Sequence, residues 1–301
     1  KKCLAVIPHE EFSFTKIWVM YAHFEVRQRD VTAARKVMGQ AIGRCAKLGK
    51  EKPFKEYIHL ERQLGEVDRC RTLYTKYLEA VPTNCAAWGR FAALESALGE
   101  TARSRAVFEI AVNQPVLDMP EALWKAYIDF EIEQAKAIIN GEADEDEEGE
   151  APGEPGDRVR ELYNRLLDRT KHVKVWVSFA SFEASAPGGG GMEDARSIFR
   201  KAYDALKEEE GGMKDERVLL LEAWRDLEKS QPRDKQELGE VTKMMPRKLK
   251  KRRMVMGDDG EEQGWEEYYD YSFPDEEKAP VNLKILEMAH MWKKRKAEGD
   301  P

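Results

Sequence analysis

Along this chain large apolar side chains recur in threes, spaced three residues apart and followed at once by a glutamate. The pattern reads Trp18, Tyr21, Phe24, Glu25, then Phe54, Tyr57, Leu60, Glu61, then Trp88, Phe91, Leu94, Glu95. It continues with Trp124, Tyr127, Phe130, Glu131 and Trp176, Phe179, Phe182, Glu183, and a weaker copy is Leu221, Trp224, Leu227, Glu228. Spacings of three keep side chains on one face of a helix, so each copy predicts an amphipathic helix with an aromatic stripe. A second half follows each of the first five copies: a small or apolar residue, Arg, any residue, an aliphatic, then usually an aromatic. Its arginines are Arg35, Arg71, Arg105, Arg160 and Arg196. Prolines at Pro8, Pro82 and Pro115 mark turns into the next unit, since proline cannot continue a helix.

Glu25, Glu61, Glu95 and Glu131 follow one another at intervals of 36, 34 and 36 residues. A repeat of that length built from two helices predicts stacked hairpins. In the first three units Arg comes ten residues after Glu; in the fourth the step is 29 and in the fifth 13. The excess falls between the two helices of a unit, where insertions leave a stacked core intact. A carboxylate on the edge of an apolar stripe needs a partner, and an Arg one helix away supplies a charge-assisted fork. The expectation is therefore a structural pair locking each hairpin, with the aromatics as core.

Charged residues make up 36% of the chain and hydrophobic ones 42%, with a formal net charge of -7. The stretch 135–156 carries Glu142, Asp144, Glu145, Asp146, Glu147, Glu148, Glu150 and Glu154 against Lys136 alone, and so accounts for all of that excess. It reads as an acidic, disordered insertion. Cys3, Cys45, Cys70 and Cys85 have no CxxC spacing, so no zinc site is implied, and they read as reduced thiols. No apolar run approaches the length of a membrane span, and no secretory signal is visible. His9, His23, His59, His172 and His290 fall in no catalytic or metal motif. Gly188–Gly191 precede Met192 and Glu193 rather than a Lys-Ser pair, and read as a flexible link. No catalytic residue, cofactor site or metal site is expected, and the chain reads as non-enzymatic.

The third aromatic slot followed by Glu, rather than by the Gly of a tetratricopeptide unit, resembles the half-a-tetratricopeptide (HAT) repeat. The blocks Leu117–Glu121, Leu123–Lys125 and Tyr127–Gln134, together with His172–Trp176 and Gly264–Tyr268, resemble the crooked neck family, in its C-terminal portion. The likeness runs over nearly the whole chain, although the family usually has a short link where this chain has its acidic insertion. It implies an arch-shaped HAT scaffold of the spliceosome, associated with the NineTeen complex, acting in pre-mRNA splicing in the nucleus. The implied partners are HAT-repeat and Myb-domain subunits of that group and small nuclear RNA, with no membrane and with self-association open. A HAT scaffold of another RNA machine, for 3′-end cleavage or pre-rRNA processing, is the alternative.

The predicted architecture is all-α, a right-handed α-α superhelix of HAT/TPR-like repeats ending in an irregular C-terminal tail. Residues 1–14 read as the end of a preceding repeat, 15–246 as the repeat solenoid, and 247–301 as the tail. The run Arg247, Lys248, Lys250, Lys251, Arg252, Arg253 reads as a nuclear import signal, an RNA contact or a solvated charge run. The stretch 257–280 alternates acids with Trp265, Tyr268, Tyr269 and Tyr271, and reads as a flexible strand for partner docking or a disordered tail. Beyond Asn282 a short helix carrying Trp292 is expected.

Overall fold

The computed structural model describes Leu4, Val6 and residues 15–44, 51–141, 154–186, 188–209, 213–256 and 262–276. Cys3, Pro8, Cys45, most of the acidic stretch and the expected C-terminal helix with Trp292 lie outside the described residues. The chain divides into two compact units that part within one helix, between Glu133 and Gln134.

In the first unit each aromatic triad lies on the leading helix of a hairpin. The pairs are α1 (Thr15–Arg27) with α2 (Val31–Arg44), α3 (Glu51–Gln63) with α4 (Val67–Ala80), and α5 (Cys85–Ala97) with α6 (Thr101–Val112). Their turns are built alike. Asp30, Glu66 and Glu100 each donate a backbone N–H to the carbonyl of the repeat glutamate five residues back, at 3.0 Å. Arg29, Gly65 and Gly99 turn the chain through the left-handed region, at φ 61°, 75° and 79°. This is the Schellman ending of a helix. It places the repeat Glu at a fixed distance from the turn, which is why its Arg always follows ten residues later in these units. The small residue before each Arg lets the two helices of a hairpin close up. Ser104 Oγ donates to the Ala92 carbonyl at 3.0 Å, and Cys70 Sγ to the Ile58 carbonyl at 3.8 Å. Burial also pushes the Cys70 and Cys85 thiols up from their ordinary range, away from thiolate reactivity.

The next helix, α7 (Pro120–Asn140), carries Trp124 and runs well past the repeat glutamate. The acidic insertion therefore does not begin at residue 135: Ala135 is 3% exposed in a regular helix, and the high helix propensity of Ala135, Lys136 and Ala137 helps extend α7 to Asn140.

The second unit contains α8 (Asp157–Arg169), α9 (Val173–Ser185), α10 (Met192–Glu208), α11 (Lys214–Ser230), a 3₁₀ turn (Arg233–Lys235) and α12 (Leu238–Met244). The glycine loop between α9 and α10 is packed rather than a loose link. A side chain at Gly189 would sit 2.5 Å from the Phe182 carbonyl oxygen and 2.6 Å from that of Glu183. At Gly188 it would sit 2.5 Å from the Pro155 carbonyl oxygen, in a residue with φ +81°. Gly190 donates its N–H to Glu183 at 2.5 Å, and the Gly188 carbonyl accepts from Arg160 at 3.0 Å. Glycine is therefore required here by close backbone approach. Gly189→Ala is expected to destabilise the chain by about 1–3 kcal/mol through overpacking. A denaturant midpoint equal to that of the unmodified chain would show that the loop can shift aside.

Two strands follow, β1 (Arg247–Met256) and β2 (Glu262–Ser272), paired antiparallel from Arg247 opposite Ser272 to Met254 opposite Trp265. Residues 247–256 and 262–272 thus form a paired ribbon in place of the expected irregular, flexible stretch. A run of like charges has no strand signature of its own. It becomes one because the facing strand supplies carboxylates and aromatics, the cross-strand pairs that stabilise a ribbon.

Candidate functional site

The repeat Glu and Arg do meet, but not within one hairpin. Each arginine reaches forward to the glutamate of the helix that follows it, which for Arg35, Arg71, Arg105 and Arg196 means leaving its own hairpin. Arg35 bonds Glu61 with Nε and Nη2, both at 2.9 Å. Arg71 grips Glu95 at 2.8–3.2 Å. Arg105 bonds Glu131 at 2.7 and 3.3 Å, Arg160 bonds Glu183 at 2.8 and 3.1 Å, and Arg196 bonds Glu228 at 2.7 and 3.0 Å. The reason is geometric. The small residue beside each Arg faces its own hairpin partner, so the Arg itself, rotated along the helix, faces the next leading helix.

A ring stack accompanies four of these forks. The aromatic three residues after the Arg lies flat on the aromatic four residues before the Glu. Tyr74 stacks on Phe91 at 5.0 Å, Phe108 on Tyr127 at 4.8 Å, Tyr163 on Phe179 at 4.8 Å and Phe199 on Trp224 at 5.3 Å, with planes within 12° of parallel. The two halves of the sequence repeat are thus the two sides of one junction. The five carboxylates are nearly or wholly buried, at 0–3% side-chain exposure. The hydrogen bonds donated to them outweigh burial and push the guanidinium groups of Arg35, Arg71, Arg160 and Arg196 further up. These groups are locked in charged pairs and do structural work.

The remaining repeat positions sort by slot. Trp18, Trp88, Trp124 and Trp224 are buried, whereas Trp176 is half-buried. The Trp88 Nε1–H donates to the Pro82 carbonyl at 2.9 Å, and the Tyr127 hydroxyl donates to Glu109 at 2.8 Å. Tyr21, Tyr57 and Glu25 are half-buried. Phe24 departs from the expected core, being 47% exposed. Among the described residues no three His, Cys, Asp or Glu side chains converge as a metal ion would require. Among the described residues no helix is long and apolar enough to cross a membrane.

The ribbon brings the basic run and the aromatic stretch together and sorts them by face. One face holds Lys248, Lys250 and Arg252 beside Trp265, Glu267, Tyr269 and Tyr271. The Lys248 ammonium lies 4.1 Å from the centre of the Tyr269 ring. Arg252 bonds Glu267 at 2.9 Å, and Lys250 also pairs with Glu267. The other face holds Arg247, Leu249, Lys251, Tyr268 and Asp270, so Tyr268 is separated from the other aromatics. That face turns toward α11: Lys214 donates to Asp270 at 3.1 Å, and Lys251 pairs with the same carboxylate. These two ammonium groups hold Asp270 at about 2. The backbone of Arg253 continues β1.

Sequence reasoning missed the group that anchors this ribbon. Arg217 of α11 is fully buried, its guanidinium 4.5 Å from the Tyr203 ring centre and 3.7 Å from that of Phe273. It donates to the Tyr203 hydroxyl at 2.6 Å and pairs with Asp275 and Glu276 just past β2. The Tyr203 hydroxyl in turn donates to Asp275 at 3.0 Å, and burial pushes that phenol up to about 12. Nothing in the repeat pattern links α11 to a segment more than fifty residues further on. An arginine inside an otherwise apolar helical stripe was the one available clue.

Residues 14–138 match the family described as Pre-mRNA-splicing factor Syf1/CRNKL1 C-terminal HAT repeat. Crooked neck-like protein 1 of Homo sapiens is 48% identical over 297 residues, covering 98% of this chain and 32% of that protein. Protein crooked neck of Drosophila melanogaster is 48% identical over 303 residues, covering 98% of this chain and 40% of its own length. Pre-mRNA-splicing factor CLF1 of Paracoccidioides brasiliensis is 44% identical over 312 residues, covering 99% and 42%. The chain thus spans about a third to two fifths of the length of these relatives.

Proposed function

The chain belongs to the crooked neck family, and on that premise we propose that it is a non-enzymatic scaffold of the spliceosome, acting in the nucleus in pre-mRNA splicing. The carrying observation is the similarity to proteins named as splicing factors along 98% of the chain. The chemistry of the repeat agrees with it. Its polar residues are spent on joining hairpin to hairpin, and stacked hairpins offer extended surfaces for other chains. The partners fitting this reading are HAT-repeat and Myb-domain subunits of the NineTeen group and the small nuclear RNA near them.

The test is affinity purification of the tagged chain from nuclear extract under mild salt, with its RNA sequenced. Enrichment of the spliceosomal small nuclear RNAs well above a tag-only control is expected. Recovery instead of 3′-end cleavage factors or pre-rRNA would move the chain to a different RNA machine.

A further inference from the structure

The ribbon face turned away from α11 carries a row of cations on one strand and a row of exposed rings on the other. We infer that this face binds single-stranded RNA, with β1 tracking the phosphates and β2 stacking bases.

Lys248, Lys250 and Arg252 project from alternate positions of β1, roughly 6.7 Å apart along the strand. Lys250 and Arg252 are 55% and 69% exposed. Opposite them, Trp265 and Tyr269 are 67% and 59% exposed. Glu267 is the sole carboxylate on that face between Lys248 and Trp265, so the cations outnumber it. A cationic track beside stacking rings is the arrangement that holds single strands with little regard for sequence.

The chemistry selects among occupants. An acidic peptide would satisfy the cations and leave the two large rings in water. An apolar protein groove would cover the rings and bury three cations that share a single carboxylate, at a desolvation cost. A polynucleotide satisfies both rows together. The ribbon is also held firmly enough to present them, through Arg217 between Tyr203 and Phe273 and through Asp270 between Lys214 and Lys251. The inference deepens the scaffold reading by giving it a direct RNA contact, yet it stands on the ribbon's own chemistry.

The experiment is fluorescence anisotropy of the full chain with a labelled twelve-nucleotide oligouridylate at several salt concentrations. Trp265→Ala with Tyr269→Ala should weaken binding about 10- to 1,000-fold, with the helical circular dichroism unchanged. Lys248→Gln, Lys250→Gln and Arg252→Gln together should lower the slope of log affinity against log salt by about 2. Glu267→Gln should tighten binding, roughly 2- to 5-fold, because it releases two cations from an exposed pair. That gain cannot arise from unfolding.

Unchanged affinity of the aromatic variant would overturn the inference. So would an equal loss from Lys36→Gln, Lys52→Gln and Lys76→Gln, which change exposed cations of the first unit. Intact oligonucleotide binding by the aromatic variant, with loss of protein components from nuclease-treated extract, would assign the face to a protein instead. If the oligonucleotide binds as expected but the chain recovers no spliceosomal RNA from nuclei, the ribbon assignment stands and the splicing assignment falls.

Discussion

Glu228→Ala is expected to cost about 3–5 kcal/mol of folding stability, the scale for removing one partner of a buried ion pair. The carboxylate is wholly buried and accepts four hydrogen bonds. Two come from Arg196, one from the Trp224 indole N–H at 3.3 Å and one from the Glu237 backbone N–H at 2.9 Å. Its removal leaves the Nε–H of a side chain that is 5% exposed without its acceptor. Glu193, Glu237 and the Lys235 carbonyl still hold Nη1 and Nη2 of Arg196. The charge itself carries a pH signature. Burial pushes the Glu228 carboxyl up, yet the bonds from Arg196, Glu237 and Trp224 outweigh it and hold the group below its ordinary value. A carboxylate depressed in the folded state adds stability above the unfolded value, near 4.5, and loses it as pH falls through the folded value. Denaturant melts at pH 7 and at pH 3 should therefore differ less for Glu228→Ala than for the unmodified chain. A loss under about 1 kcal/mol at pH 7, or equal pH dependence in both chains, would remove the fork from the list of stabilising features. Replacing the pair together, as Arg196→Met with Glu228→Leu, should cost much less than either single change, since the desolvation penalty leaves with the charges.

The forks also explain how much of this molecule could be read from sequence. The helices, their order and the aromatic faces follow directly from a period near 34 residues and spacings of three. The pairing of Glu with Arg was legible as chemistry, because a carboxylate on an apolar stripe demands a cation. Which Arg serves which Glu was not, because sequence spacing favours the nearer residue. Glu61 lies ten residues before Arg71, but the packed helices bring it to Arg35, 26 residues before it. The same limit applies to Gly188–Gly191, where composition signals flexibility and only the neighbouring carbonyls reveal contact. It applies again to the ribbon. Lys248 and Tyr271 face each other across a strand pair, and no property of either segment alone announces it.

Forks placed at junctions, four of them with a ring stack alongside, have an energetic consequence. A hairpin taken alone retains its Schellman turn and its small-residue contact, and loses the fork and the stack that join it to the next. Stability is then shared between the hairpins and their nearest-neighbour interfaces, as in other stacked repeats. A binding partner that grips one hairpin would gain leverage over the next through the same contacts, in keeping with the scaffold role proposed above.

Trp124→Ala and Trp176→Ala should separate cleanly, although the two residues occupy the same slot of the repeat. Trp124 is 3% exposed on α7, beside Leu123 at 1% and the Phe108–Tyr127 stack. Its truncation leaves a cavity in the buried apolar face, and about 3–5 kcal/mol is expected. Trp176 is half-buried, with its indole N–H shielded from water and without a hydrogen-bond partner. Less apolar area returns to solvent when it is truncated, and an unsatisfied donor disappears with it. Roughly half the cost of the first substitution follows, about 1–3 kcal/mol. Chemical denaturation of both variants at one pH gives the comparison directly. Equal losses would mean that the slot, not the burial, sets the energy, and an unchanged midpoint for Trp124→Ala would remove that residue from the core.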